Sequence, residues 1–283
     1  MDLARHATPS LAVRVCLAWI AVSAVLVASG CSPHTSDPVV LTGSSTIAPM
    51  ASDIAREFER RHPGTRVDVQ TGGSSRGLSD ARKGTADIGM VSRDLGPAED
   101  DLVGFPIAVD GVCMIAHESN PVRELGRDQI VAIYTGELTR WNDVGGNDAP
   151  ITVVNKAEGR STLEVFLKHF ELESSQIRAQ VVIGDNEHGI KSVGQNPDAV
   201  GYVSIGSAEQ AIERGVPIRM LALGGVAPST DALRDGRFPI RRTLNLVTSG
   251  APEGLVREFI EFFQSPEARA IIERNSFVPL DPR

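Results

Sequence analysis

Four short stretches of this chain concentrate hydroxyls, glycines and cations. They are Gly43-Ser44-Ser45-Thr46, Gly72-Gly73-Ser74-Ser75-Arg76-Gly77, Ser92-Arg93-Asp94, and the run from Asn155 that ends Lys156-Ala157-Glu158-Gly159-Arg160-Ser161-Thr162. The last shows the chemistry at issue. Leu163, Phe166 and Leu167 fall on one helix face, and Ser161 and Thr162 are residue types that cap a helix start. The first N–H groups of a helix lack backbone partners and carry partial positive charge. A loop that adds Lys156, Arg160 and two hydroxyls to such a terminus suits an anion. Capping alone accounts for one such turn, but four turns of the same chemistry point to a shared anion site.

The elements that must position these turns alternate along the chain. VVLTG (39–43), RVDVQ (66–70), ADIGMVS (86–92), ITVVN (151–155), QVVIG (180–184), AVGYVS (199–204), IRMLAL (218–223) and LNLVTS (244–249) read as strands. Helical spacing marks 47–62 through Met50, Ile54 and Phe58, and also 77–84, 130–136, 161–170 and 255–264. A last helix opens at Ser265-Pro266-Glu267, an N-cap followed by proline at the first helical position. The pattern predicts α/β layers with mainly parallel strands. In such sheets ligands sit at the carboxyl ends of strands, where all four hydroxyl-rich turns fall.

With 283 residues, of which 41% are hydrophobic and 23% charged, the chain is long enough for one large domain or two medium ones. Its net charge of -8 argues against a nucleic-acid partner, which needs a clustered basic face. Arg5 and Arg14 precede the apolar run 15–28, and Ser29, Gly30 and Cys31 follow, which predicts a signal peptide over 1–30. The order Ala28-Ser29-Gly30-Cys31 resembles a bacterial lipobox, so Cys31 is expected to be lipidated, with 31–38 as a lipid-anchored tether. That places the chain on the extracytoplasmic face of the bacterial cell membrane. Cys16 leaves with the signal peptide, so Cys113 remains as a buried hydrophobe and no intramolecular disulfide is expected.

A catalytic alternative exists. Gly73-Ser74-Ser75-Arg76-Gly77 fits the G-x-S-x-G nucleophile elbow, with a strand before and a helix after, and Asp185 with His188 could complete a triad around Ser75. That pair lies within one short loop, and the same hydroxyl chemistry recurs where no nucleophile is needed, so the chain is expected not to be an enzyme. No nucleotide-binding glycine motif is present, His117, His169 and His188 lack paired ligand spacing, and neither cofactor nor metal is expected. Trp141 and Tyr202 read as packing aromatics, and Glu57, Glu59, Arg60 and Arg61 as a solvated helix face.

Taken in order, LTGSSTIAP, QTGGSSRG, ADIGMVSRDL, RWNDVGG, ITVVNKAEGRSTLEVF, AVGYVS and SPEARAIIERNSFVPL resemble the phosphate-binding proteins of bacterial ABC phosphate importers, from about Val39 to Leu280. The resemblance implies a two-lobed, periplasmic-binding-protein-like (type II) α/β fold with the ligand cleft between the lobes. Lobe one would be 39–110 plus 244–283 and lobe two 111–243, joined by crossing strands near Val109 to Ile115 and Arg241 to Val247. The implied function is capture of inorganic phosphate or a similar oxyanion by a monomer that delivers it to an ABC permease in the membrane. A binding protein for another oxyanion, or a non-transport sensor, is the alternative.

Carried over by position, Thr46 with Ser45, Ser74 with Ser75, and Ser92 with Arg93 stand at ligand positions of the first three turns. In the fourth, the family reads Arg, two residues, Gly, Ser, Gly, Thr. Here Lys156 replaces the arginine, Arg160 the serine and Ser161 the second glycine, while Gly159 and Thr162 match. A lysine is a point charge where arginine is a planar fork. Arg160 either restores the fork or protrudes and blocks the approach of backbone N–H groups. Ser92 stands where some relatives carry an aspartate that accepts phosphate's proton, leaving Asp94 or Asp110 as the candidate carboxylate and predicting weaker rejection of sulfate.

Overall fold

The structure, a computed structural model, describes residues 37–280. The predicted signal peptide, the lipidation site Cys31 and all of the tether except Asp37 and Pro38 lie outside them, as do residues 281–283. Strand β1 (Val39–Gly43) pairs in parallel with β2 (Val67–Thr71) and β3 (Ile88–Val91). Helix α1 (Ala48–Arg61) and helix α2 (Ser74–Lys83) make the two crossovers. Met50, Ile54 and Phe58, four residues apart, form the buried stripe of α1. Phe58 meets Phe259 and Phe262 at ring centroid distances of 5.1 and 5.5 Å.

A second parallel group is built from β5 (Thr152–Lys156), β6 (Val181–Ile183) and β7 (Ala199–Ser204), in the order β7-β5-β6. Helix α3 (Arg127–Thr135) precedes β5, α4 (Ser161–Phe170) joins β5 to β6, α5 (Asn186–Gly194) joins β6 to β7, and α6 (Ile205–Glu213) follows β7. Phe166 of α4 stacks on Tyr202 of β7 with centroids 4.1 Å apart.

The two groups are joined by β4 (Val103–His117), whose 15 residues span about 50 Å. Its first half pairs antiparallel with β9 (Arg241–Thr248), its second half with β7 and with β8 (Ile218–Met220). A short helix, α7 (Thr230–Arg234), precedes β9. Helices α8 (Gly254–Phe263) and α9 (Pro266–Arg274) and the short strand β10 (Val278–Pro279) close the chain. Ser265 caps α9, accepting from Ala268 N–H at 3.1 Å, as the sequence predicts. The main sheet path is β2-β1-β3-β9-β4-β7-β5-β6. The expectation of mainly parallel strands therefore holds within each group, while every pairing of β4 and β9 is antiparallel.

Apolar burial follows the same division. One core cluster draws on residues between Val39 and Ala108 and again between Leu244 and Phe277; the other draws on Val112 to Ile240. Between the clusters, Asp110 of β4 and Arg242 of β9 are register partners. The molecule is thus a two-lobed α/β protein whose lobes are connected by crossing strands, with a buried charge pair where the cores part.

Candidate functional site

The hydroxyl-rich turns converge. Ser44, Ser45 and Thr46 before α1, Gly73 and Ser74 at α2, Ser92 after β3, Lys156 at the end of β5, Arg160, Ser161 and Thr162 at α4, and Gly184 before α5 line one cavity of ≈ 10 Å³. That is the scale of a single water-sized group, so the turns close tightly on one another in this conformation. Gly73 has φ 93°, and a Cβ there would lie 2.7 Å from Gly159 O, so the second and fourth turns approach this closely only through glycine. Ser75 N–H donates to Gly159 O at 3.3 Å across the same junction.

The hydroxyls at α2 and α4 are not ordinary caps. Helices α5, α6, α7 and α9 are capped by the side chains of Asp185, Ser204, Ser229 and Ser265. Helices α2 and α4 start at Gly73 and Arg160 with no side-chain cap, and Ser74, Ser161 and Thr162 sit inside the first turn. The uncapped N–H groups leave partial positive charge at the cavity.

Partners of the hydroxyl oxygens decide what remains free. Thr46 Oγ1 accepts from Arg242 Nη2 at 3.1 Å and from Asn186 Nδ2 at 3.1 Å. Both lone pairs are taken, so the hydroxyl itself can only donate. Ser44 Oγ likewise accepts from Thr46 N–H and Ile47 N–H at 3.2 and 3.4 Å. Thr162 Oγ1 accepts from Arg242 Nη1 at 2.9 Å, and Ser74 Oγ accepts from Ser92 N–H at 3.1 Å. Ser161 Oγ is buried without a partner among the described residues. A buried hydroxyl left unpaired costs about 1–3 kcal/mol, so the site holds a donor that awaits an acceptor.

Four charged groups surround this shell. Arg242 and Asp110, both side chains 0% exposed, pair through Nη2 and Nε to Asp110 Oδ2 at 2.7 and 3.0 Å. Asp110 Oδ1 accepts from Gly206 N–H at 3.5 Å, so the carboxylate is committed to the protein. Lys156 Nζ donates to Asn186 Oδ1 at 2.9 Å. Burial first, then the charges of Arg242 and Arg160, lower its pKa to about 7 against the opposing pull of Asp185. The guanidinium of Arg160 lies beside Gly73 and Gly184, with Nη2 3.3 Å from the Cβ that Gly184 lacks, and it makes no protein hydrogen bond among the described residues. Counting Arg242 and Asp110 as neutral together, the cavity keeps a positive excess and no free carboxylate.

Ser45, Thr46, Ser74, Ser92, Lys156, Arg160, Ser161 and Thr162 are thus brought together, and Ser75 and Arg93 are not. Ser75 is exposed at the rim. Arg93 turns away from the cavity. It bonds Glu99 through Nη1 and Nη2 at 3.2 and 2.9 Å, which holds the Glu99 carboxyl below its usual range, and its Nε forms an ion pair with Glu164 at 2.6 Å. His188 pairs with Asp185 inside one helical turn, and Ser75 bonds neither among the described residues. Of the carboxylate candidates, Asp94 accepts from Thr243 N–H at 3.1 Å and Asp110 serves Arg242.

Trp141 and Tyr202 are buried, with Trp141 Nε1 donating to Asp198 O at 2.9 Å and Tyr202 Oη to Asn155 Oδ1 at 2.6 Å. Arg242, Asn186 and Gly184 are additions of the structure, while Ser44 and Gly73 join the lining from the first two turns. Arg242 stands two residues before the strand read from the pattern at 244–249 but inside the crossing strand that the resemblance implies near Arg241 to Val247, where its charge is the available signal. Asn186 lies in a helix that local spacing did not suggest.

A model of the PBP superfamily domain matches residues 30–267. The phosphate-binding protein PstS of Bacillus subtilis (strain 168) is 26% identical over 251 residues, covering 87% of this chain and 81% of that protein. PstS of Borreliella burgdorferi is 25% identical over 262 residues, covering 88% and 92%. A substrate-binding protein from Clostridium perfringens, solved with bound phosphate, superposes with a TM-score of 0.80 at 29% identity over 87% of this chain and 100% of its own. An ABC-type phosphate transport receptor from Vibrio cholerae gives 0.70 at 29% identity, over 85% and 99%. With a two-lobed α/β fold, a cavity at the strand ends where the lobes meet, and a family model spanning most of its length, the chain belongs to the PBP superfamily.

Proposed function

We propose that this protein captures inorganic phosphate between its lobes on the extracytoplasmic side and hands it to an ABC import permease. The observation that carries the reading is the cavity's inventory. Hydroxyls whose lone pairs are already occupied, a buried Ser161 hydroxyl unpartnered among the described residues, two uncapped helix starts and the cations Lys156 and Arg160 surround one small cavity. Such a shell offers donors to every oxygen of a tetrahedral anion and acceptors to almost none. Relatives named for phosphate binding, and the phosphate bound in the Clostridium perfringens protein, support the choice of ion. The role is binding, with no residue assigned to catalysis.

Lobe one is taken as 39–110 plus 244–283 and lobe two as 111–243, a division supported by the two apolar clusters. Each lobe supplies part of the shell, so the ion favours the closed arrangement. Lipidation of Cys31 would hold this monomer at the membrane near its permease. Among the described residues no helix is long and apolar enough to cross a membrane. Replacing Cys31 by alanine is expected to release the protein from membranes or stall its processing.

Sulfate is a second ligand that a specific observation favours, because no free carboxylate faces the cavity to repel a fully ionised ion. Calorimetry on ligand-free protein with phosphate, sulfate and arsenate tests both readings. Binding of phosphate with sulfate trailing by a modest factor is expected. Absence of heat with every one of these ions would overturn the oxyanion assignment.

A further inference from the structure

Lys156 is an unusual cation to find at an anion site. It is 3% exposed, and its Nζ has one protein acceptor, the neutral amide oxygen of Asn186 at 2.9 Å. The orientation of that amide is set by its neighbours, since Asn186 Nδ2 donates to Thr46 and Ser207 at 3.1 Å each, which leaves Oδ1 for the lysine. Two ammonium protons therefore have no acceptor in the protein, and they belong to a residue that lines the cavity. The surrounding charges are adverse. Arg242 of β9 and Arg160 at the start of α4 face Lys156 with like charge. Asp110, which could offset them, is committed to Arg242.

On α5, Asp185 attracts the ammonium but divides its carboxylate between His188 N–H and the His188 ring, at 2.8 and 3.2 Å. From β7, Tyr202 presents a hydroxyl whose ionisation burial pushes far up, so it stays neutral while accepting from Lys156 N–H at 3.4 Å. With the cavity empty, desolvation and two guanidinium groups oppose the charged amine, which holds it to about 7. A divalent anion in the cavity reverses the largest electrostatic imbalance: an opposite charge within hydrogen-bond range raises a cation's pKa by about 1–3.

We propose that Lys156 is the proton-exchanging group of this site, neutral in the empty cavity above neutral pH and charged whenever a doubly charged tetrahedral oxyanion is bound, so that capture takes up one proton and release returns it. The proposal rests on the oxyanion reading above. The balance is simple. Above neutrality a proton from solvent adds to the Nζ lone pair as HPO4 2− or sulfate enters. Near neutrality H2PO4− can supply it instead, its O–H bond breaking as the N–H bond forms, with no net exchange with solvent. Sulfate carries no proton, so it draws on solvent whenever the amine is neutral.

The sign follows from linkage. The amine's pKa is low in the empty state and raised in the bound state, so the gain in affinity is fully present below about 7 and is lost as pH rises toward the bound-state value. Over that window sulfate affinity falls with pH, by at most about tenfold per pH unit.

The test is calorimetry at pH 8 with phosphate and with sulfate, each in buffers of different ionisation enthalpy, on the wild-type chain and on Lys156→Arg. Wild type should take up about 0.4–0.9 proton per ion, with sulfate affinity dropping by about three- to eightfold from pH 7.5 to 8.5. Lys156→Arg, permanently charged, should take up none and show a flat sulfate profile. Binding without proton uptake in wild type overturns the proposal while leaving the oxyanion reading intact. Uptake that persists in Lys156→Arg overturns it as well and reassigns the proton to another group. Failure of both ions to bind wild type at any pH overturns the oxyanion reading and this proposal with it.

Discussion

Replacing Asp110 by asparagine isolates the charge of the carboxylate that Arg242 bonds at the site. The native carboxylate takes two bonds from Arg242, at 2.7 and 3.0 Å, with both side chains 0% exposed, and a longer one from Gly206 N–H. Asparagine keeps one oxygen for these donors but turns an NH2 group toward a guanidinium or an N–H, donor against donor. Arg242 is then buried without a counter-charge beside Lys156 and Arg160. Breaking a buried pair by removing one partner costs about 3–5 kcal/mol, and the retained amide oxygen places the expected loss near ~3 kcal/mol. For a domain of this size that lowers the melting temperature by about 6–12 °C.

The same reasoning fixes a second readout. A divalent anion in the cavity supplies the negative charge that the variant lacks, so saturating phosphate should raise the melting temperature of Asp110→Asn by more than that of the parent. Unfolding can be followed through Trp141, which is fully buried and is the only tryptophan apart from Trp19 of the predicted signal peptide. Equal melting temperatures of the two ligand-free proteins, or equal phosphate-induced rises, would refute the view that the pair is both a structural lock and part of the site's charge balance.

Three further outcomes are expected. Arg160→Ala should weaken phosphate binding by about ten- to a hundredfold, the worth of a charge-assisted hydrogen bond, with stability nearly unchanged because its guanidinium makes no hydrogen bond among the described residues; unaltered affinity by calorimetry would make it a bystander. Ser161→Ala removes a buried hydroxyl with no partner, so urea unfolding without ligand should show no loss of stability, while affinity falls by about fivefold; a destabilised ligand-free variant would show that the hydroxyl already serves the fold. Glu164→Gln breaks the ion pair with Arg93, which ties α4 to the segment after β3, and with Glu164 39% exposed the effect should stay below about 1 kcal/mol, seen as faster phosphate release in stopped-flow traces; an unchanged release rate would remove this pair from the closing of the cleft.

The sequence by itself determined the parts whose information is local. A period of two or of 3.6 is written in neighbouring residues, so β1, β7 and α4 emerge at their observed bounds, and Ser265-Pro266-Glu267 marks the start of α9. The four hydroxyl-rich turns were equally legible, since small residues at strand-to-helix junctions are read without knowing what faces them. Periodicity alone misses strand β4, and the resemblance places only its stretch near Val109 to Ile115: its 15 residues mix apolar, glycine, proline and acidic positions because it passes through two cores and the charged junction between them, so no single period describes it. Only the tertiary structure decided the site's chemistry. Whether a threonine hydroxyl accepts or donates depends on what fills its lone pairs. Here those partners come from afar: Arg242 reaches Thr162 across 80 residues, Asp110 across 132 and Thr46 across 196, and Asn186 reaches Thr46 across 140. The direction of Arg160 into the cavity, and of Arg93 away from it onto Glu99 and Glu164, was set in the same way, by charges and space that the folded chain brings near and that spacing along the sequence does not encode.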